Sequence, residues 1–254
     1  EIQGIPSLNS VYADYSGNIF YVYNGNFPDR QPGFDWQGYL PGWTSETLWK
    51  NTIPIENIPM VKNPESGYLF STNQTPFMVT EKIDNLDPNF YPIEWGIEQH
   101  MNNRAYRAFD LFSSNTEISF EELKKIKFDL YYSEKSVMVQ YINDIIKAID
   151  ISSLDFQDVK SVLAAWNLST HPENREAALA ILSTKPFIQF QYRKLDDAIL
   201  LEHTRNAEKY LKKFHGSLRV PFGDVQRLVW GETDIAIGGG PDILRAVYST
   251  YDGN

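Results

Sequence analysis

The chain has 254 residues, of which 42% are hydrophobic and 22% charged, so it has enough apolar surface for a sizeable core. Its formal charge is −10 (23 Lys and Arg against 33 Asp and Glu), which argues against nucleic acid as a partner because backbone binding needs clustered cations. No apolar run approaches the ~18 residues of a membrane span, and the absence of cysteine excludes disulfides, thiolate metal sites and cysteine nucleophiles.

Residues 1–92 are predicted to consist mainly of strands and turns. Two β-prone runs, at 11–13 and 19–23, flank a turn sequence that contains Gly17. Because glycine can take a positive φ, this pattern predicts a β-hairpin.

A long stretch at 24–42 is rich in Gly and Pro and needs side-chain packing to hold it. Three aromatic residues are candidates for that role: Trp36, Tyr39 and Trp43. Further along the chain, 67–71 is predicted to be a strand that runs directly into the turn-forming sequence at 72–76.

Residues 93–215 are predicted to be mainly helical. Ser119 and Glu122 have the spacing of a capping box, which marks the start of one helix. Apolar residues at helical spacing predict four further helices, and Gly216 is expected to end the last of them. These four helices cover 137–149, 159–166, 177–182 and 196–215.

Residues 216–254 return to a β-like pattern. Three short apolar runs are predicted strands: 218–220, 228–230 and 235–237. The Gly-rich run 238–242 lacks the Lys and Ser or Thr of a phosphate loop, so it is predicted to be a tight connection from strand to helix. The order β, α, β favours one α+β region over residues 1–254.

Several catalytic signatures are missing from the sequence. The four histidines do not have the spacing of metal ligands: His100, His171, His203 and His215. The GxSxG sequence of a serine nucleophile does not occur. A glycosidase with paired carboxylates suits the acidic composition, but no Asp or Glu pair is marked out by its context, so this option ranks last.

Two groups remain as candidates for chemistry. Asn73, at the end of the predicted strand, carries an amide that could donate to a developing oxyanion, although Asn is also a common turn residue that bonds its own backbone. Arg104 and Arg107 share one helix face, and either could bind a carboxylate through two hydrogen bonds. A surface salt bridge is the commoner outcome for such arginines.

Several blocks of sequence between residues 10 and 76 are familiar from one protein family. In chain order they are YADYSGNIFYV at 12–22, GNFPDRQ at 25–31, LPGW at 40–43, Ile53-Pro54, NPESGY at 63–68 and TNQTP at 72–76. In their order and spacing these blocks resemble the β-subunit of penicillin acylases. Arg104 with the Leu111-Phe112 pair resembles the next block, and 223–227 and 237–242 resemble the C-terminal part of some acylase subunits.

The resemblance implies an N-terminal-nucleophile hydrolase with an αββα sandwich, of which this chain would form a part with a largely helical middle region. Such enzymes are made as precursors that cleave themselves and expose a serine whose own amine acts as the base. By the same resemblance, Asn73 matches the oxyanion-hole Asn and Arg104 matches an Arg that orients the catalytic groups. Arg107 is the alternative for that role, because the loop before it is longer than in penicillin G acylases.

The resemblance implies no cofactor for catalysis, but it does imply a structural calcium ion. The main-chain carbonyl of Trp36 and the carboxylate of Asp84 or Asp87 match its ligands. The remaining calcium ligands are expected outside this sequence.

Residue 1 is Glu, so the nucleophile and most of the acyl pocket are expected upstream of this sequence. The chain alone is therefore expected to be inactive and to need the remaining α-subunit and β-subunit segments as partners. Its substrate would be a small N-acylated compound, such as a β-lactam side chain or an N-acyl-homoserine lactone, and its location periplasmic or secreted. The alternative is a non-catalytic binding or cell-surface α+β module derived from an acylase.

Overall fold

The computed structural model describes residues 2–4, 7–114, 117–151, 156–188 and 192–245. The chain divides into two compact units, Glu1–Met101 and Asn102–Asn254. Helices and antiparallel sheets both occur, so the predicted α+β class is confirmed. The interpretation of the whole chain as one such region, and its place in a four-layer sandwich, stay predictions. In the ranges given above, no helix combines the length and hydrophobicity that a bilayer crossing requires.

The first unit contains an antiparallel sheet with the strand order β1, β2, β3. The strands are β1 (Leu8–Ala13), β2 (Ile19–Asn24) and β3 (Met60–Lys62). The turn between β1 and β2 is closed by Asp14, whose Oδ1 accepts hydrogen bonds from the main-chain N–H groups of Ser16 and Asn18, both at 2.9 Å. Gly17 has a φ of +86°, which residues with a β-carbon rarely adopt. The predicted hairpin is confirmed.

The middle strand β2 is covered on both faces. Tyr21 packs with Val61 and Val79, whereas Val22, which points to the opposite face, packs with Ile58. Strand β2 therefore contributes to the apolar core on both faces of the sheet, and this packing fixes the position of its last residue, Asn24.

Strand β1 lies at an edge of this sheet. Among the residues that the structure describes, it forms a ladder with β2 alone. Three of its large apolar side chains are half exposed: Leu8 (46%), Val11 (49%) and Tyr12 (55%).

The strand predicted at 67–71 does not form, so that prediction is wrong. Gly67 has a φ of +76°, which breaks the extended conformation at the start of the segment. A hydrogen bond from a side chain to the main chain holds the segment instead. The Thr80 hydroxyl donates to the carbonyl of Tyr68 (2.8 Å). The first unit also contains short 3-10 helices, at Ile2–Gly4, Ile55–Asn57, Lys82–Asp84, Pro88–Phe90 and Ile93–Trp95.

The aromatic residues of the 24–42 stretch behave differently from one another. Trp36 is half-buried, and its Nε1–H donates to the carbonyl of Gln31 at 2.9 Å. Tyr39 is fully exposed and Trp43 is 90% exposed, so the prediction that they hold this stretch is wrong.

The second unit is largely helical. Its helices are α1 (Asn103–Ser113), α2 (Phe120–Lys127), α3 (Val137–Ile151), α4 (Gln157–Ala165), α5 (Ala177–Thr184), α6 (Asp197–His215) and α7 (Phe222–Val225), with a 3-10 turn at Lys185–Phe187. The capping box of α2 is confirmed, since Ser119 Oγ accepts from the Glu122 N–H and Glu122 Oε2 accepts from the Ser119 N–H. Helix α6 ends at Gly216, which has a φ of +70°, as predicted.

One apolar core joins α3, α4, α5 and α6. The predicted stripe of α3 is buried at Tyr141, Ile145 and Ile149. Helix α5 contributes side chains from all around its axis, including Leu179, and α6 contributes Leu211. The four helices predicted from apolar spacing are confirmed.

Two of the three strands predicted in the tail are confirmed, as the antiparallel hairpin β4 (Arg227–Trp230) and β5 (Thr233–Ala236). The strand predicted at 218–220 does not form, because the Ser217 hydroxyl accepts the main-chain N–H of Arg219 (3.1 Å) and bends the segment. No helix begins within 241–245. The predicted connection from strand to helix at 238–242 is therefore wrong in placing a helix start there, and the chain after residue 245 lies outside the described residues.

Helix α6 offers a test by pH. The carboxylate of Glu208 is 9% exposed and accepts hydrogen bonds from Lys212 Nζ (2.8 Å) and Arg205 Nη1 (2.6 Å). Burial raises the pKa of Glu208, but the two cations outweigh burial, so the pKa lies below its ordinary value of 4.5. A lowered pKa stabilises the fold above the unfolded value, and this stabilisation is lost as the pH falls through the folded value.

We therefore expect Glu208→Gln to lower the free energy of unfolding at pH 7 by about 1 kcal/mol. The difference from the wild type should shrink below pH 4.5, where the unfolded carboxyl is already protonated. Urea unfolding at a series of pH values measures it. Glu202→Gln, at an exposed position of the same helix, is the control; an equal effect there would contradict the prediction.

Candidate functional site

The segment around Asn73 is a turn whose main chain is fixed from both sides. The Phe70 N–H donates to the Val79 carbonyl (2.9 Å), and the Thr75 N–H donates to the His100 carbonyl (3.0 Å). Between these anchors Asn73 has a φ of +66°, in the left-handed region that Asn adopts more readily than most residues. The Asn73 side chain lies at the exposed point of this turn.

The neighbouring side chain of Gln74 holds the turn from inside. Gln74 is 1% exposed, and its Oε1 accepts from the main-chain N–H of Thr72 (2.6 Å) and from the Thr72 hydroxyl (3.0 Å). Its Nε2 donates to the carbonyls of Met78 (2.9 Å) and Phe70 (3.4 Å). A buried amide therefore spans the turn and sets the position of Asn73. This role of Gln74 was not predicted from the sequence.

Asn73 contributes to the wall of a pocket of about 220 Å³ within the first unit. The rest of the wall comes from the start of β1, the end of β2 and two later positions: Ser7, Leu8, Asn9, Tyr23, Asn24, Phe27 and Glu98. A larger hollow of about 550 Å³ lies among the loops between 29 and 51 and does not include Asn73. The smaller pocket is the candidate site because it contains the predicted oxyanion donor.

The wall of this pocket contains a stacked aromatic pair and is mainly neutral. The rings of Tyr23 and Phe27 stack at 5.5 Å with 11° between their planes. The Tyr23 hydroxyl accepts the main-chain N–H of Glu98 (3.3 Å), and burial raises the pKa of Tyr23, so the phenol stays neutral at neutral pH. The Glu98 carboxylate, beside this wall, accepts the main-chain N–H of His100 (2.8 Å) and lies 2.7 Å from His100 Nδ1.

Asn24 is a polar residue of this wall that the sequence interpretation missed. It is the last residue of β2 and is 2% exposed. Neither the Oδ1 nor the Nδ2 of its carboxamide has a hydrogen-bond partner in the part of the chain that the structure describes. The only signal in the sequence was an Asn in place of a further apolar residue where a β-prone run ends.

Arg104 lies in the first turn of α1, where a carboxylate holds it. Its Nε donates to Asp242 Oδ1 (3.1 Å), and Asp242 Oδ2 accepts the main-chain N–H of Asn103 (2.8 Å). Burial raises the pKa of Asp242 despite the opposing effect of these two donors. Asp242 therefore ties Arg104 to the end of the described chain.

Arg107 forms the bidentate carboxylate contact that the sequence allowed. Its Nε donates to Asp129 Oδ2 (2.9 Å) and its Nη2 donates to Asp129 Oδ1 (2.6 Å). The same guanidinium lies over the ring of Tyr131, 5.6 Å from its centroid. Hydrogen bonds and the charge of Asp129 raise the pKa of Arg107. This arrangement gives Arg107 a structural role within the second unit.

We expect Arg107→Ala to lower the free energy of unfolding by about 2–3 kcal/mol, because Asp129, 9% exposed, would be left without its partner. Arg107→Lys keeps the charge but not the fork of two donors and should recover less than half of the loss. Urea unfolding of both variants, and of Arg107→Ala in an Asp129→Ala background, measures the coupling. Equal losses in both backgrounds would show that the pair contributes nothing.

The two predicted catalytic residues belong to different units of the chain. Asn73 shares a pocket wall with Asn24 in the first unit, and Arg104 is bound to Asp242 in the second. The roles of Asn73 and Arg104 in catalysis stay predictions.

The residues predicted to bind calcium are engaged in local contacts. Asp84 Oδ2 accepts the main-chain N–H of Ser66 (2.8 Å), which lowers the pKa of Asp84. Asp87 Oδ1 accepts from the main chain (2.9 Å) and side chain (2.8 Å) of Asn89, at the start of a 3-10 helix. The carbonyl of Trp36 is the third predicted ligand.

Across the described ranges, no three His, Cys, Asp or Glu side chains gather as a metal site would require. Calcium takes six to eight oxygens, so these residues do not form a complete site by themselves. Calcium binding through Trp36 and Asp84 or Asp87 stays a prediction.

The chain is similar in sequence to known acylases. Over 70 residues the chain is 46% identical to penicillin G acylase of Escherichia coli, a match that covers 28% of this chain and 8% of that protein. It is 23% identical over 165 residues to the penicillin acylase 2 proenzyme of Pseudomonas sp. (strain SE83), covering 65% of this chain and 19% of that protein. The chain thus spans less than a fifth of these two relatives.

Among solved structures, the chain is similar to a thermostable penicillin G acylase from Alcaligenes faecalis, with a TM-score of 0.47 and 15% identity, covering 83% of this chain and 47% of that one. The penicillin amidase family matches residues 1–233, which is most of the sequence. The chain belongs to the penicillin amidase family.

Proposed function

We propose that this chain is part of an amidohydrolase that cleaves a linear amide by acyl transfer to an N-terminal serine. The observation that carries the proposal is the position of Asn73, which offers a neutral amide donor in the wall of a small pocket, in a chain of the penicillin amidase family. The substrate class is a small N-acylated compound, either a penicillin-type β-lactam or an N-acyl-homoserine lactone.

The chemistry assigns a separate task to each group. The serine hydroxyl attacks the amide carbonyl, and its own α-amine takes the proton and passes it to the departing amine. Asn73 Nδ2 donates to the oxygen as it becomes an oxyanion, where a donor held in advance is most effective. Water then cleaves the acyl-serine ester. Arg104, held by Asp242, orients the catalytic groups.

Within the proposal, the serine nucleophile comes from another part of the protein. The remaining α-subunit and β-subunit segments are accordingly its partners. A structural calcium ion held partly by Trp36 and by Asp84 or Asp87, no cofactor for catalysis, and a periplasmic or secreted location complete the proposal.

The test compares the isolated 254-residue chain with the intact protein from which it derives. Both are assayed for amine release from an N-acylated aniline, a penicillin and an N-acyl-homoserine lactone. We expect hydrolysis by the intact protein and none by the chain alone, because Glu1 offers no nucleophile. Hydrolysis by the isolated chain would refute its inactivity. An intact protein that cleaves none of the three compounds would favour the non-catalytic module instead.

A further inference from the structure

The hollow of about 550 Å³ among the loops between residues 29 and 51 belongs to the first unit and plays no part in the proposed hydrolysis. Small-molecule sites in proteins have volumes of roughly 300–1,000 Å³, so the hollow has the size of such a site. Its wall includes three charged and three apolar residues: Asp29, Glu46 and Lys50, and Pro32, Phe34 and Leu48. Phe34 is half-buried and the other five are exposed, so a dissolved molecule can reach them.

The three charged groups of the wall are available to a ligand. Within the part of the chain that the structure describes, the ion pairs and side-chain hydrogen bonds do not use the charged groups of Asp29, Glu46 or Lys50. Exposed charges of this kind are usually only solvated. Here they line a concave wall, where the low-dielectric surroundings concentrate their field compared with a convex surface. Charges of both signs therefore act on whatever enters the hollow.

Two limbs of the chain form the hollow, and local contacts hold them. The Asp29 N–H donates to the carbonyl of Asn51 at 2.9 Å, which ties the first limb to the second. Lys50 is the neighbour of Asn51, so the residues that carry a carboxylate and an ammonium group are held side by side in the main chain. On the first limb, the ring of Phe34 meets the ring of Trp36 edge to face, with their centroids 5.9 Å apart. The apolar part of the wall is thus also supported.

The composition of this wall limits the ligand that it can recognise. Lys50 attracts an anionic group such as a carboxylate, whereas Asp29 and Glu46 attract a cationic group. A ligand with a single sign of charge would be attracted by one part of the wall and repelled by another. Phe34 and Leu48 add apolar surface, which favours a ligand that also carries a hydrocarbon group. An apolar amino acid combines all three features: an ammonium group, a carboxylate and an apolar side chain.

We propose that this hollow is a binding site for a small zwitterion with an apolar side chain, of which a free apolar α-amino acid is the simplest case. The proposal goes beyond the proposed hydrolysis and does not depend on it. Asn73 is not part of the wall, and no bond of the ligand is made or broken. Binding can therefore be tested without a nucleophile.

The test is a titration of the ¹⁵N-labelled 254-residue chain at neutral pH with three probes of similar shape. L-leucine carries both charges, N-acetyl-L-leucine lacks the positive charge and L-leucinamide lacks the negative charge. The main-chain N–H signals of Gly33 and Ser45, both in the wall, report on binding, and the signal of Gly17, outside the wall, reports on non-specific effects. We expect L-leucine to bind about fivefold more tightly than either other probe, since each loses one partly exposed ion pair.

Matched variants assign the two charges separately. Lys50→Met should reduce the preference for L-leucine over L-leucinamide to under twofold and leave the preference over N-acetyl-L-leucine unchanged. The double variant Asp29→Asn with Glu46→Gln should have the opposite effect. Lys62→Met, at an exposed position outside the wall, should leave both preferences unchanged.

Three results would overturn the proposal. The first is equal affinity of the wild type for all three probes. The second is a pair of preferences that neither Lys50→Met nor the double variant alters. The third is a shift of the Gly33 and Ser45 signals no larger than that of Gly17, which would show that the probes do not enter the hollow.

Discussion

Replacing Asn73 with alanine in the intact enzyme should lower kcat by about 10²–10³, the usual effect of removing one oxyanion donor. KM should change little, because the donor acts on charge that develops in the transition state and not on the bound substrate. Steady-state kinetics with one N-acylated substrate measures both parameters. A loss of less than threefold would show that Asn73 has another role.

The backbone at this position requires its own control. Asn73 has a φ of +66°, which alanine adopts less readily, so a loss in Asn73→Ala could come from a distorted turn. Asn73→Gly removes the amide but adopts this φ without strain, and it should lose as much activity as Asn73→Ala. If Asn73→Gly instead keeps wild-type turnover, the loss in alanine comes from the backbone and the oxyanion role is contradicted.

Gln74→Leu should destabilise the first unit, because Gln74 is buried and holds the turn through several hydrogen bonds. Leucine is similar in size but leaves the Thr72 N–H and the Met78 carbonyl without their partner. Each such unpaired buried group costs about 1–3 kcal/mol, so we expect the free energy of unfolding to fall by about 2–4 kcal/mol. Turnover of the intact enzyme should fall as well, because the turn that presents Asn73 loses its internal support.

The matched control is Gln99→Leu. Gln99 is exposed, and its Nε2 donates to the carbonyl of Ile97 (3.0 Å). Substitution there should change the free energy of unfolding by less than about 0.5 kcal/mol. Urea unfolding compares the two variants. Equal effects at positions 74 and 99 would mean that the buried amide does not hold the turn.

Features with a local cause were predictable from the sequence. The Asp14–Asn18 turn and the capping box at Ser119 and Glu122 depend on side chains that bond main-chain groups a few residues away. The helices of the second unit have an apolar stripe long enough to show its period, as in α3. For such elements, the residues that determine the structure lie close together in the sequence.

Features that depend on distant partners were not predictable in the same way. Strand β3 has three residues and exists because Met60 and its neighbours pair with β2, about 40 positions earlier in the chain. The run at 67–71 has strand-like residues but joins no ladder in the described part of the chain. Propensity alone cannot separate these two cases, since a strand is stabilised by the ladder it joins.

In the candidate site, too, some residues were predictable from the sequence and others were not. The family resemblance led to Asn73, and the structure places this residue in a pocket wall. Gln74 and Asn24 were missed, because their importance comes from burial and from partners that are present or lacking, and a sequence pattern records neither. The sequence predicted that Arg104 or Arg107 could bind a carboxylate. It did not predict which carboxylates these would be.

The position of β1 at the edge of its sheet has a practical consequence for work with the purified chain. A strand with an unused row of main-chain donors and acceptors can add a strand from a second molecule, and half-exposed Leu8, Val11 and Tyr12 would strengthen such an encounter. The net charge of −10 opposes it by mutual repulsion, which salt screens over about 10 Å at 0.1 M. Aggregation during concentration should therefore be slowest in buffers of low ionic strength well above the isoelectric point of about 4.9.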